Sequence, residues 1–282
     1  MDGPGWGWRI RWGGWWLATG CRLVAMALLL LSAAAASSAA ELRAHDAASL
    51  EAALELVAPA GADRRGRHQL PAVLLLREGL YELSRTLELP GNTTLRAEPG
   101  HEVTLRLGAA LPHPVLSVRD ASGVTVSGIR IVGHDSSEPL QRSTALEVEG
   151  GSDVTLERLT VTGGVRVSGG ERHVLSRSVV SNEFGAAHGN CVYLTNAGDG
   201  TSLSPCGHTI SHTEIHDCRG LGDPWPSSKS PCDPAHQKRE HKPPCNPDPF
   251  PNITGNGILI NQVVGAKVTN NFIHDGSIHI FC

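Results

Sequence analysis

The amino-acid sequence predicts an all-β solenoid, a single-stranded parallel β-helix in which short coils stack on one another. Five segments carry two apolar residues five positions apart, and a shorter apolar–polar–apolar run precedes each of them. The last apolar residue of these runs recurs at Val118, Val148, Val167, Leu194, Ile260 and Ile280, in steps of 30, 19, 27, 66 and 20 residues. The short steps define a unit of roughly 20 residues, which is typical of solenoids. The 32 glycines and 4% aromatic residues also favour short strands and tight turns over a helical core.

Residues 1–40 are predicted to be a secretion signal. Arg9, Arg11 and Arg22 precede an apolar stretch, Leu23 to Ala36, and small residues follow up to Ala40, where cleavage is expected. An uncleaved membrane anchor is the alternative, because residues 23–40 are uncharged over about 18 positions, the lower limit for a span. Residues 41–282 then form one β-helix domain in the extracellular space.

The charge and the cysteines agree with export. Loss of residues 1–40 removes one Asp and three Arg, which changes the net charge from −4 to −6, so nucleic acid is not an expected partner. Six cysteines remain in the mature chain, and an even set in a secreted protein indicates disulfides, of which about 15 pairings are conceivable. Asn92 and Asn252 begin glycosylation sequons.

The first elements of the mature chain are a helix and a series of strands. Asp46 to Val57 has Leu50, Leu54 and Val57 on one face, and Asp46 is suited to be the N-cap. Strand-like runs follow at residues 72–76, 78–81, 87–89, 93–95 and 103–105. A sandwich of antiparallel hairpins is the alternative fold, but the repeats largely lack the Asn-Gly or Asp-Gly turns expected of it.

Residues 74–105, LLLREGLYELSRTLELPGNTTLRAEPGHEVTL, resemble the opening coils of right-handed parallel β-helix proteins of the pectin-lyase-like type. The resemblance extends over about residues 45–282. It implies a right-handed solenoid whose first coil is closed by the helix. It also implies that the outer face of one parallel sheet holds a polysaccharide.

Residues 219–256 are predicted to be a long Pro- and Cys-rich loop inserted between repeats. Cys232, His236, His241 and Cys245 have zinc-ligand chemistry, although export favours a Cys232–Cys245 disulfide. Lys238 and Arg239 make the loop tip basic, which would attract an anionic polymer. The last run ends at Ile280 with no closing segment, so we expect a longer protein or a partner that covers the final coil.

The shorter runs are expected to stack into one sheet whose outward side chains form a groove. Mapped by pattern, the groove contains Arg119, Glu147, Glu149, Arg166, Tyr193, Asn261 and His279. Arg166, Tyr193 and His279 are the candidate catalytic residues, because lyase chemistry needs a base and a cation that stabilises a carbanion. Arg119 and Asn261, with the basic loop, are the candidate substrate-binding residues, and Glu147 and Glu149 are candidate Ca²⁺ ligands. A solvated face of mixed charge is the alternative interpretation.

Asn182, Asp217 and Asp275 each lie two positions after an apolar residue of the repeat, so they are expected to stack in one column at a turn. Polar ladders of this kind commonly satisfy the main chain of neighbouring coils. Paired carboxylates would alternatively serve a glycoside hydrolase.

The predicted function is therefore action on, or binding of, a cell-wall or matrix polysaccharide by a secreted β-helix. The resemblance favours a uronate lyase or epimerase if the protein is catalytic. A non-catalytic, adhesin-like carbohydrate-binding scaffold and a glycoside hydrolase are the alternatives.

Overall fold

The computed structural model describes residues 39–57, 71–108, 113–133, 144–182, 190–196, 206–218, 256–274 and 276–281. The chain divides into two units, Met1–Ala39 and Ala40–Cys282. All the helices and strands described below belong to the second unit.

The described strands form three parallel sheets, and each turn of the chain contributes one strand to each sheet. Sheet 1 has the order β1 (Ala40–Ala44), β2 (Ala72–Leu76), β5 (Thr93–Ala97), β8 (Thr125–Ser127), β11 (Thr155–Glu157), β14 (Val174–Ser176), β17 (Thr209–Ser211) and β20 (Lys267–Thr269). Sheet 2 has the order β3 (Gly79–Leu83), β6 (Val103–Leu107), β9 (Arg130–Val132), β12 (Thr160–Thr162), β15 (Val179–Asn182), β18 (Glu214–Cys218) and β21 (Phe272–Ile273).

Sheet 3 consists of the shorter runs. Its order is β4 (Leu87–Glu88), β7 (Leu116–Arg119), β10 (Leu146–Glu149), β13 (Val165–Ser168), β16 (Val192–Thr195), β19 (Asn256–Asn261) and β22 (Ser277–Phe281). Every strand pairing among the described residues is parallel, as in β10 with its neighbours β7 and β13. The predicted parallel β-helix is confirmed, and the sandwich of antiparallel hairpins is excluded.

The apolar residues five positions apart belong to two different sheets. Val126 lies in β8 of sheet 1 and Ile131 in β9 of sheet 2, and both side chains are fully buried. Between such strands the chain turns at a residue with positive φ, which is Gly128 in this coil and Arg158, Arg177, His212 and Asn270 in later coils. The inward side chains of the three sheets form continuous apolar columns, so the core lies inside the coils.

Helix α1 (Ala47–Val57) packs against β1, β2 and β3 and covers one end of the core with Leu50, Ala53 and Leu54. Asp46 is the N-cap, as the sequence predicts, because its Oδ1 accepts a hydrogen bond from the Ser49 N–H at 2.7 Å. Hydrogen bonds from the side chain and the main chain of Ser49 lower the pKa of Asp46. The helix therefore begins and ends where the sequence predicts.

Two histidines occupy the core at the corner between sheets 3 and 1. The residues that precede β8 and β11 are the buried Val124 and Val154, whereas His173 precedes β14 and His208 precedes β17. Their rings stack with centroids 4.9 Å apart. Each imidazole Nδ1 accepts a main-chain N–H from the previous coil, that of Val154 for His173 and that of His173 for His208.

The last described coil exposes apolar residues. Ile278 and Ile280 of β22 are 49% and 62% exposed, although the residues that they face in β19, Ile258 and Ile260, are buried. Among the described helices, none has the length and apolar character of a membrane span.

Candidate functional site

The outward side chains of sheet 3 form two columns. The register aligns one column, here called the central column, as Glu88, Ser117, Glu147, Arg166, Tyr193, Leu259 and His279. A lateral column aligns Arg119, Glu149, Ser168, Thr195 and Asn261. The predicted stacking of the shorter runs is confirmed, and it brings most of the predicted groove residues onto one face.

Arg166 lies at the middle of the central column, between Glu147 and Tyr193. Its Nη1 is 3.3 Å from Glu147 Oε1, and 43% of its side chain remains exposed. Its Nε is buried and has no hydrogen-bond partner among the described residues. Tyr193 is on the adjacent strand, about 4.8 Å away in the hydrogen-bonding direction. A cation with unused hydrogen-bonding capacity and a phenol therefore stand side by side.

The lateral column supports this pair. Arg119 Nε donates a hydrogen bond to Glu149 Oε2 at 2.9 Å. Asn261 Nδ2 lies 3.5 Å from Tyr193 Oη, so the amide joins the two columns next to the phenol. Both arginines proposed for carboxylate recognition are thus already paired with a glutamate, and the charge of the face is close to balanced.

His279 is separated from the other two candidate catalytic residues. It pairs in register with Leu259, which in turn pairs with Tyr193. Two strand spacings, roughly 10 Å, therefore separate His279 from Tyr193. The structure brings Arg166 and Tyr193 together but does not bring His279 to them.

Glu147 and Glu149 fit poorly as calcium ligands. Each carboxylate is occupied by an arginine, and Ca²⁺ takes six to eight oxygen ligands. In the part of the chain that the structure describes, no group of three His, Cys, Asp or Glu side chains is arranged to hold a metal ion.

The predicted turn column of Asn182 and Asp217 is not formed. Asn182 pairs with Cys218, because the register shifts by one residue at Asp217, whose φ is +49°. Asn182 is fully buried and its Nδ2 donates to the main-chain oxygen of Asn190 at 2.8 Å. Asp217 Oδ2 instead lies 2.8 Å from His216 Nδ1. Asn182 therefore serves the main chain eight residues further along its own coil, and not that of a neighbouring coil. Asp275 lies outside the described residues.

The structure pairs Cys191 with Cys218 in a disulfide. Cys232, Cys245, Lys238, Arg239 and Asn252 all lie outside the described residues, so the loop predictions stay predictions. Asn92 is an exposed turn residue with a φ of +54°.

Glu88 is absent from the predicted groove, although it belongs to the face. Its triplet, Leu87-Glu88-Leu89, has the same apolar–polar–apolar pattern as the later runs, and the register pairs Glu88 with Ser117. The signal was present in the sequence, but this run lies outside the region where the repeat spacing is regular.

Comparisons with known proteins add little to this site. No family model matches the chain, and no curated protein matches it. Among solved structures, the chain is similar to the crystal structure of a "putative glycosyl hydrolase" from Parabacteroides merdae, with 11% identity and a TM-score of 0.42. That match covers 83% of this chain and 96% of the other. A likeness of this size indicates neither activity nor substrate.

Proposed function

We propose that this protein is a secreted β-helix that holds a polysaccharide along the outer face of sheet 3 and acts on a uronate residue of it. The observation that carries the proposal is the contiguity of Glu147, Arg166 and Tyr193 on three adjacent strands, with Arg166 Nε buried and unpaired among the described residues. A buried donor without a partner costs free energy until a ligand supplies an acceptor.

The reaction that fits this pair is β-elimination, or epimerisation by the same proton transfer. Arg166 binds the uronate carboxylate, because a guanidinium can donate two parallel hydrogen bonds to a carboxylate. The positive charge stabilises the carbanion that forms when the proton next to the carboxylate leaves. The deprotonated phenol oxygen of Tyr193 takes that proton, and Asn261 Nδ2 holds this oxygen in place by donating a hydrogen bond to it. In elimination, the electron pair of the carbanion forms a carbon–carbon double bond, the glycosidic C–O bond breaks, and the leaving oxygen takes the proton back from Tyr193.

Export is part of this proposal. The Cys191–Cys218 disulfide supports it, since disulfides persist mainly in oxidising compartments. The leader-like residues 1–40 support it from the sequence.

The elimination is tested by the ultraviolet absorbance of the unsaturated uronate product. Purified protein is incubated with pectate, alginate and glycosaminoglycans, and epimerisation is followed by proton exchange with deuterated solvent. We expect turnover of one polymer, and a loss of about 100-fold or more in Arg166→Ala and in Tyr193→Phe, which is the usual contribution of positioned acid–base groups. Arg130→Ala is the matched control, because Arg130 is an exposed outward arginine of sheet 2. Retention of activity in both sheet 3 variants would refute the assignment.

A non-catalytic carbohydrate-binding scaffold is the second candidate. The observation that favours it is the pairing of Arg119 with Glu149 and of Arg166 with Glu147, which leaves little net positive charge for a polyanion. Polysaccharide binding without product formation or proton exchange, lost in Arg166→Ala, would establish this function instead.

A further inference from the structure

A cleft of about 690 Å³ lies between helix α1 and the first strands of sheet 3, at one end of the outer face of that sheet. Its volume is in the range of small-ligand sites, roughly 300–1,000 Å³. Leu54 of α1 and Leu87 of β4 contribute apolar surface, and Ser117 and Arg119 of β7 belong to both the cleft and the polysaccharide face. The cleft therefore continues the proposed groove and ends it against the helix.

Ser117 gives the cleft an unused polar group. Its side chain is 1% exposed, and its Oγ has no hydrogen-bond partner among the described residues. A hydroxyl buried without a partner has lost its hydration and gained no hydrogen bond in return. A ligand hydroxyl that reached Ser117 would supply that hydrogen bond, and sugars are rich in such groups.

The charge of the cleft selects against anions. Three glutamates and two arginines line it: Glu51, Glu55, Glu88, Arg85 and Arg119. Both arginines are engaged, Arg85 with Glu55 at 3.3 Å and Arg119 with Glu149 at 2.9 Å. Among the described residues, Glu51 and Glu88 have no ion-pair partner, so the uncompensated charge is negative.

We infer that this cleft is a terminal subsite that binds a non-acidic sugar at the end of the polysaccharide, and that it prefers an amino sugar with a free ammonium group. The inference rests on the proposed function, since it places a chain end beside the Arg166 position, which lies two strand spacings, roughly 10 Å, from Ser117. Glu88 pairs with the ammonium group, Ser117 bonds a sugar hydroxyl, and Leu54 and Leu87 contact the apolar face of the ring. The preferred polymer then carries uronate residues and a non-acidic chain end.

Calorimetric titration of the secreted protein with three linear trimers tests the subsite: glucosamine, N-acetylglucosamine and galacturonate. We expect the glucosamine trimer to bind most tightly and the galacturonate trimer least tightly. Glu88→Gln should weaken the glucosamine trimer about tenfold and leave the N-acetylglucosamine trimer unchanged, which is the size expected for one charged hydrogen bond. Ser117→Ala should weaken both about fivefold to tenfold.

Ser117→Ala also separates binding from folding. Because the hydroxyl is unpaired in the free protein, its removal should leave the unfolding temperature unchanged or raised, while the shift that the trimer produces becomes smaller. Glu102→Gln and Ser181→Ala are matched controls outside the cleft, an exposed glutamate and a buried serine. They should not alter any of the affinities.

Tightest binding by the galacturonate trimer, or affinities unchanged in Glu88→Gln and Ser117→Ala, would overturn the inference. A failure of the proposed function would give a different result from a failure of the subsite. Trimer binding that depends on Glu88, in a protein without uronate turnover or polysaccharide binding on sheet 3, would leave the subsite in place and refute the function. Uronate turnover that is lost in Arg166→Ala but unchanged in Glu88→Gln and Ser117→Ala would support the proposed function and refute the subsite.

Discussion

His208 combines two properties that require a neutral imidazole. Its side chain is almost fully buried, and its Nδ1 accepts the main-chain N–H of His173 at 3.3 Å, which a protonated ring could not do. Burial lowers the pKa of His208 to about 4, and the neighbouring His173 contributes in the same direction. The ring is therefore a structural group that depends on pH, although it is remote from the outward face of sheet 3.

The stability of the fold should consequently fall in acid. An unfolded histidine has a pKa near 6.5, so between about pH 6.5 and pH 4 the unfolded chain binds a proton that His208 in the folded chain does not. Stability is fully present above this window and decreases as the pH falls through it. The free energy of unfolding in urea should drop by roughly 2 kcal/mol between pH 7 and pH 5 because of His208.

His208→Gln supplies the control for this prediction. Glutamine keeps a hydrogen-bond acceptor and does not titrate, so the part of the drop that His208 causes should disappear. The part that remains is assigned to His173, because burial also lowers the pKa of that ring. A variant with the full pH dependence of the wild type would show that other groups cause it.

Individual residues were predictable where the repeat determines their direction. The outward placement of Arg166 and Tyr193 follows from strand alternation alone, and the register confirms it. The partners of these residues were not predictable, because the pairing of Arg166 with Glu147 depends on which coils are adjacent and on side-chain rotamers. The sequence pattern also did not predict that His173 and His208 point into the core. Both are polar, whereas valine occupies the equivalent positions in earlier coils.

At the scale of elements, the corners between strands set the shape of each coil. Ten described non-glycine residues have positive φ, and most lie at the ends of strands. Arg158, Arg177 and His212 occupy equivalent corner positions, where Gly128 is the only glycine among these coils. The sequence therefore predicts strands well and corners poorly, because arginine at a left-handed position carries no recognisable turn signal. The same limitation explains the failed Asn182–Asp217 column, which the left-handed Asp217 shifts by one residue.

Substitutions at Gly170 and Gly100 distinguish two costs of adding a side chain at a corner, steric overlap with neighbouring atoms and backbone strain. Their φ values are +76° and +83°, but a Cβ on Gly170 would lie 2.5 Å from Gly150 O and overlap the His173 ring, whereas one on Gly100 would meet nothing within 4 Å. We expect Gly100→Ala to cost about 1 kcal/mol of unfolding free energy from strain alone. Gly170→Ala should cost about 3 kcal/mol or more, because steric overlap is added.

Denaturant unfolding of the two variants under the same conditions measures the difference directly. Equal losses in Gly100→Ala and Gly170→Ala would mean that the corner can relax. The close stacking of His173 against the previous coil would then be looser than the structure indicates.

At the scale of the whole molecule, the three sheets share one interior and differ in what they present to solvent. The outward positions of sheet 1 carry residues such as Arg96, and those of sheet 2 carry Arg130, each without an ion pair among the described residues. Sheet 2 also contains an outward ion pair between neighbouring coils, that of Arg106 with Glu82. Sheet 3 has two such pairs, Arg119 with Glu149 and Arg166 with Glu147, and they lie next to the cleft beside helix α1. The parallel β-helix itself was predictable from the 20-residue repeat, since stacked identical units need the same residue types at the same places.

Comparison of one arginine from each face tests the central claim most directly. Affinity electrophoresis through gels that contain the polysaccharide would compare wild type with Arg96→Ala, Arg130→Ala and Arg166→Ala, which remove the same charge from sheets 1, 2 and 3. We predict that only Arg166→Ala loses affinity, by about tenfold or more, because of these three arginines only Arg166 belongs to the proposed binding face. Equal losses in all three variants would indicate a general charge effect, and a loss confined to Arg96→Ala or Arg130→Ala would place the polysaccharide on another face and contradict the account.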